Sequence, residues 1–461
     1  MFTSKRTAGA VIAVSALATG LGGTVPAQAV TTAQVVTSKP AGTVDPSANK
    51  LANKWLAKQL DGGLVKGTYG VDFGLTIDVA LALSETGNLP AVKSIRDALA
   101  PRVKEYVGDK AAGEVYGGPT AKAAVFARVS QGNPTSFGGL NLVTQLEEQV
   151  TNVAVPANPL AGRLFDTSQY GDFANVVGQS YAVRALAVAN SPEAAPATDF
   201  LLKQQCPSGS FRLNFSPKDA ADQSCADGQK GSEADPDATS IAVANLILSG
   251  QKGQPVQDAI TRGVNWLAAK QLASGAMRGG ASTRAINANS TGLAGYAFGL
   301  ANRTAEARRA AAWVRRLQPV DKFKCRSALT PELGGVAYKM KSVKDARNGG
   351  ITDEARGEWI RATAQAVPAL QWAPAAADKD MRVVPFRKQV RSATRPRFRL
   401  FGLAPGEQSC FQTKGDFKRV LGKKTGGTMV RQLRMPSGNS RRWVVLKTGD
   451  DVARAWVRVR N

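Results

Sequence analysis

The 461-residue chain contains no histidine. That absence excludes a Ser-His-Asp triad, a Cys-His pair, a His-ligated zinc and an imidazole general base. Any chemistry falls to carboxylates, Tyr, Lys, Arg, Ser or Cys. Cysteine is scarce, with four residues, and none stands in a Cys-x-x-Cys redox or zinc spacing. Aromatic residues make up only 7% of the chain, and 35 acids face 60 Lys and Arg. The single long apolar stretch, Ala8 to Leu21, is short for a bilayer span. No cofactor motif is present.

What is there begins with export. Lys5 and Arg6 precede that apolar stretch, and Ala27-Gln28-Ala29 follows it. The order reads as a secretory signal peptide over residues 1–29, cut after Ala29; an N-terminal membrane anchor is the competing reading. Four cysteines in an exported chain read as two disulfides. Cys206 and Cys225 are near neighbours in sequence and are expected to pair, a loop worth roughly 3 kcal/mol. Cys325 and Cys410 are then left for each other.

The net charge of +25 is uneven. Residues 381–461 hold 20 Lys and Arg against Glu407, Asp416, Asp450 and Asp451, a net +16. Outside the cell the partner for such a segment is an anionic cell-wall polymer or a membrane surface rather than nucleic acid; a merely solvating face is the plainer reading. Arg395, Arg397 and Arg399 alternate, as do Arg454, Arg458 and Arg460, so each series is expected on one strand face, together a basic surface.

Residues 30–47 read as an extended leader. A repeat then appears: "KWLAKQLDGGL" from Lys54, "DFLLKQQCPSGSF" from Asp199, "NWLAAKQLASGAM" from Asn265 and "AWVRRLQ" from Ala312. Each carries an aromatic residue and then Gln (Gln59, Gln204 or Gln205, Gln271, Gln318), and the first three continue into a Gly turn. Between the repeats lie small-residue apolar helices, as in "FGLTIDVALALSE" from Phe73 and "NSTGLAGYAFGLAN" from Asn289, alternating with amphipathic ones. Hairpins of this kind stack to bury their inner faces. About six of them over residues 48–372 predict a mostly α fold, an (α/α)6 toroid; an open solenoid is the alternative. After a linker at 373–380, residues 381–461 predict a small all-β, sandwich-like domain, with Arg442–Lys447 and Ala453–Arg460 as strands.

The Gln–Gly repeat resembles that of the terpenoid cyclase and protein prenyltransferase toroids, and "DPDATSIAV" is similar to the Asp-x-Asp-Asp segment of squalene–hopene-type cyclases. The resemblance implies outer helices bearing the repeats and inner helices ending at a central cavity. It implies Asp237 as a proton donor with Asp235 beside it. Two features depart from the pattern: Ala238 replaces the third acid, and a carbocation cavity needs more aromatic faces than this chain offers. Zinc prenyltransferase chemistry lacks its His, and no Asp-Asp-x-x-Asp magnesium motif occurs.

The carboxylates admit several readings. Asp72, Asp172, Asp237, Asn289 with Ser290, and Asp353 with Glu354 stand at inner-helix starts, where caps are expected. Asp237 is expected to cap its helix. Asp227, Glu233 and Asp235 offer a calcium option. Asp72, Asp172 and Glu354 with Tyr296 and Trp359 offer a rim for a small molecule or glycan, with hydrolysis through paired carboxylates as an extension. In the cyclase-like reading, Tyr181, Tyr296, Phe298 and Trp359 are the candidate lining of the central cavity. The first reading is a secreted, non-catalytic binding protein associated with the cell surface. The alternative is an enzyme, a terpene-cyclase-like isomerase or a carboxylate-dependent glycan hydrolase.

Overall fold

Small side chains let helix backbones approach one another, and the inner wall of this protein is built that way. The computed structural model describes residues 43–151, 158–281, 283–378, 380–424, 426–449 and 451–461. The expected signal peptide and most of the leader lie outside the described residues. In chain order the helices are α1 (Ser47–Ala57), α2 (Phe73–Glu85), α3 (Leu89–Leu99), α4 (Lys104–Val107), α5 (Gly117–Val129), α6 (Leu142–Glu147), α7 (Val176–Val188), α8 (Ala194–Lys203), α9 (Pro236–Leu248), α10 (Gln254–Lys270), α11 (Ala288–Leu300), α12 (Thr304–Arg315), α13 (Met340–Gly349) and α14 (Asp353–Ala366).

Helices α2, α5, α7, α9, α11 and α14 each pack on the next, and α14 returns to α2. The ring is closed, which an open solenoid is not. Outside it, α3 packs on α2, α6 on α5, α8 on α7, α10 on α9, α12 on α11, and α1 on α14. The first described helix is therefore the outer partner of the last inner helix, and the fold is an (α/α)6 toroid. At Gly292 a Cβ would lie 2.5 Å from Ala366 Cα, so α11 and α14 meet too closely for any side chain there.

The repeat has a direct physical meaning. Gln205, Gln271 and Gln318 donate from Nε2 to the turn carbonyls of Gly209, Gly275 and Gly334. The same Nε2 groups donate to Ala259, Glu306 and Ala48 on the next outer helix. Gly334 adopts φ +108°, and a Cβ there would sit 2.1 Å from the Leu51 carbonyl oxygen, so only Gly fits. Two residues after each turn Gly, an apolar residue donates its N–H to an inner-helix Thr: Phe211 to Thr239, Met277 to Thr291 and Val336 to Thr363, at 2.8–2.9 Å. Gln ties the turn outward and Thr ties it inward.

The strands are β1 (Leu60–Asp61), β2 (Leu64–Gly67), β3 (Gly70–Val71), β4 (Arg382–Pro385), β5 (Gln389–Arg391), β6 (Arg397–Phe401), β7 (Gln408–Gln412), β8 (Phe417–Leu421), β9 (Met429–Gln432), β10 (Ser440–Thr448) and β11 (Asp451–Arg460). The first three form a small sheet. The others form a five-stranded sheet, β5-β11-β10-β7-β8, and a three-stranded sheet, β4-β6-β9. Their inner faces share a core that includes Phe398, Leu400, Phe411, Val444, Leu446 and Val457. Burial alternates along β6 and along much of β10 and β11, as in a sandwich wet on its outer faces.

The expected single basic surface is corrected here. Arg395 lies in the irregular segment before β6. Arg397 and Arg399 are exposed on the three-stranded sheet, and Arg454, Arg458 and Arg460 on the five-stranded sheet. Outer faces of a two-sheet sandwich look away from each other, so the two series cannot merge. Both disulfides, Cys206–Cys225 and Cys325–Cys410, are formed, the second between the toroid and β7.

Candidate functional site

The inner helices share a register that the threonines define. The hydroxyls of Thr76, Thr239, Thr291 and Thr363 donate to the carbonyls of Asp72, Asp235, Asn287 and Trp359, each four residues earlier. These threonines face the outer turns. A residue two further along the helix is rotated by about 200°, so it faces the lumen. That position holds Asp78 on α2, Lys122 on α5, Tyr181 on α7, Ile241 on α9, Leu293 on α11 and Gln365 on α14. All but Leu293 line a cavity of about 360 Å³, with Tyr106, Tyr116, Asp166, Phe173 and Asn175 among the other lining residues.

The wall is polar and aromatic. Lys122 Nζ lies 2.5 Å from Asp78 Oδ1 and donates to the Gly74 carbonyl at 3.0 Å. Burial opposes the Lys122 charge, but the Asp78 carboxylate and the nearby tyrosines outweigh it, so its pKa lies above the ordinary lysine value. Burial pushes the Tyr181 phenol up to about 12, with Lys122 opposing the shift. Burial raises the Tyr106 phenol as well. Asp166 accepts the Gly117 N–H at 2.7 Å and the Phe173 N–H at 3.0 Å, and so caps α5 from a distant loop. Burial raises its pKa despite those bonds. Asp78 is thus engaged by an ammonium and Asp166 by two backbone donors. The arrangement is suited to holding a polar molecule by hydrogen bonds and ring contacts, and less suited to a carboxylate acid–base pair.

The cap on α9 is Asp235, not Asp237: its Oδ1 accepts the N–H groups of Asp237 and Ala238 at 2.9 and 2.8 Å. Asp237 sits in the first helical turn, and its Oδ1 is buried without a hydrogen-bond partner. Burial pushes its carboxyl up to about 6; the Ser290 hydroxyl opposes this and the Asp235 carboxylate adds to it.

Asp72 caps α2 as expected, through the Leu75 N–H, and meets Arg361 at 3.3 Å. Asp172 does not cap α7; Asn175 does. Asp172 is held instead by Arg163 at 2.7 Å and Lys218 at 3.0 Å. Asn287 caps α11 in place of Asn289 and Ser290, and Thr352 caps α14. Helix α14 starts about two turns earlier than its counterparts, which leaves Glu354 on an exposed end away from the cavity. Trp359 and Phe298 are buried in the core and Tyr296 packs beside Trp372, so none of the three lines the cavity.

The calcium option is not assembled. Asp227 binds the backbone and hydroxyl of Ser208, Glu233 accepts from Gly231, and Asp235 is the cap. No metal-holding group of three or more such side chains forms among the described residues. Sequence reasoning missed Asp78 and Lys122. Their signal was a lone charge inside an apolar small-residue helix, in "GLTIDVALA" and "PTAKAAVF".

No protein-family model matches the chain, and no curated protein matches it. Among solved structures, a protein from Actinoplanes is similar at 17% identity and a TM-score of 0.48, over 71% of this chain and 98% of the other. The type II terpene cyclase MstE from Scytonema is similar at 14% and 0.47, over 70% and 96%. An unsaturated glucuronyl hydrolase specific for heparin is similar at 11% and 0.48, over 70% and 95%. Likenesses at this level carry no argument about chemistry, which rests on the residues of this chain.

Proposed function

We propose that this is an exported binding protein whose toroid holds a polar, sugar-sized molecule in its lumen and whose basic sandwich meets an anionic envelope surface. The observation that carries the reading is the cavity itself. Its volume of about 360 Å³ falls in the range of small-molecule sites, and it combines apolar ring faces with a few fixed polar groups. Tyr106, Tyr116, Tyr181 and Phe173 supply faces; Asp78, Lys122, Asn175 and Gln365 supply donors and acceptors. The two disulfides fit an oxidising compartment. No helix among the described residues is long and apolar enough to cross a membrane.

The test is calorimetric titration of neutral and acidic mono- and disaccharides into the protein. Saturable binding of at least one sugar is expected, weakened roughly tenfold or more by Tyr181→Ala and by Asp78→Asn, on the scale of one lost buried hydrogen bond to a charged group. Binding indifferent to both changes, or no binding across the panel, overturns the lumen reading.

A second reading, an isomerase with Asp237 as acid, is favoured by one observation: a buried carboxyl raised to about 6 keeps its proton into the mildly acidic range, well above an ordinary aspartate. Turnover of a polyene that Asp237→Asn abolishes would move the assignment there. The hydrolase variant has less support, because Asp72 and Asp172 are engaged by cations and Glu354 lies apart.

A further inference from the structure

Strands β10 and β11 pair antiparallel over their full length, with Arg441 opposite Arg458, Trp443 opposite Trp456 and Val445 opposite Arg454. Directly paired residues share a face, so these six side chains stand together on the outside of the five-stranded sheet. By the same alternation Val452 and Arg460 lie on this face, and the parallel pairing of Arg460 with Arg391 on β5 extends it. None of Arg391, Arg441, Arg454, Arg458 and Arg460 has an acidic partner among the described residues. Asp451 lies on the other parity of β11.

The face is also unusually apolar for one so charged. Trp443 is 55% exposed and Val452 45% exposed. The Arg441 guanidinium lies 4.0 Å from the centre of the Trp456 ring, so that indole face is already occupied and is not free to stack on a sugar or a base. At the β7 and β8 edge the toroid covers the sheet through the Phe323–Cys325 turn, and it reaches Lys447 near the end of β10, whose ammonium sits over the Phe323 ring. The part formed by β5, β11 and the Arg441–Val445 stretch of β10 stays open. The opposite sheet also exposes apolar residues, Val384, Phe386 and Val430, but no tryptophan; there Arg382 is paired with Asp378, and Arg397 and Arg399 both lie over Phe386.

We infer that the open face of β5, β11 and β10 docks on an anionic phospholipid bilayer, with the arginines at headgroup phosphates and Trp443, Val445 and Val452 at the interface. The inference rests on reading the sandwich as the part that meets an anionic surface, and it names the surface. A linear polyanion needs only the charges. Arginines interleaved with an exposed tryptophan and valines match a layer that is anionic above and apolar below, where indole rings reside and Arg stems lie against apolar surface.

The test is sedimentation of the full mature chain with vesicles of phosphatidylcholine alone and of phosphatidylcholine with phosphatidylglycerol, at low salt. Binding is expected only to the anionic vesicles. Arg454→Gln with Arg458→Gln should lower the partition coefficient about tenfold or more, each cation near such a surface contributing comparably. Trp443→Ser should lower it several-fold, and Arg397→Gln with Arg399→Gln on the opposite sheet should leave it unchanged. Thermal melts confirm that each variant is folded. Wild-type binding by Trp443→Ser overturns the bilayer inference while leaving a charge-only surface intact. So does capture by soluble polyglycerol phosphate or a single-stranded oligonucleotide without capture by vesicles. Failure to bind any of these anions overturns the bilayer inference and the anionic-surface reading together.

Discussion

Asp237 costs the fold most when it is charged. Its folded pKa of about 6 lies above the ordinary aspartate value of 3.8, so the folded state holds the proton more tightly than the unfolded chain. Its contribution is therefore most favourable below pH 3.8, is lost as pH rises through about 6, and is flat above that. An amide removes the charge and keeps the shape. Asp237→Asn should stabilise the protein at pH 8 by about 2–3 kcal/mol and change little at pH 4. Urea denaturation at the two pH values measures this; an equal effect at both would show that the carboxyl is not raised. The neighbouring Asp235 differs in its contacts, since two helix N–H groups bind its carboxylate.

At the scale of the element, the toroid depends on short ties between a turn and two helices. Gln318 is the tie that closes the ring, because its amide joins the last turn to the first helix through Gly334 and Ala48. It is almost fully buried. Gln318→Ala strands two buried carbonyls and should cost about 2–4 kcal/mol. Gln59, at the corresponding place in the first repeat, lies just past the end of α1, donates only to Trp55 of that helix and is half-buried. Gln59→Ala should cost no more than about 1 kcal/mol. Chemical denaturation of both variants compares them, and equal losses would show that the amide ties do not close the ring.

Across the whole molecule, toroid and sandwich are joined by a polar seam beside the Cys325–Cys410 bond. Asp321, only 1% exposed, sits between Arg347 at 2.8 Å and Arg419 of β8 at 3.5 Å. Arg347 reaches on to Gln408 of β7. Burial raises the Asp321 pKa, but hydrogen bonds from Arg347 and Ser327 and both guanidinium charges outweigh it, so the value is depressed below 3.8. Its contribution is present above 3.8 and lost as pH falls through the depressed value. Asp321→Asn leaves buried guanidinium charge uncompensated and should cost roughly 3–5 kcal/mol at pH 7. The loss should shrink in strong acid, and thermal melts from pH 7 to pH 2 follow it. A variant as stable as the parent at pH 7 would show that the disulfide alone holds the seam.

The sequence by itself determined what repeats locally. Spacing of Gln, Gly and small-residue helices announced the hairpins and hence the ring, because turn chemistry and helix period are written within a few residues. Elimination among four cysteines gave both pairings, and β-branched alternation announced β10 and β11. Only the tertiary structure decided which side chains face one another. Whether Asp235 or Asp237 caps α9 turns on two residues of loop geometry. Asp78 and Lys122 meet because the ring brings α2 beside α5, and no local pattern encodes a neighbour 44 residues away. The two arginine series read as one surface in sequence and stand on opposite outer faces, because a sandwich core must be covered by two sheets turned toward each other.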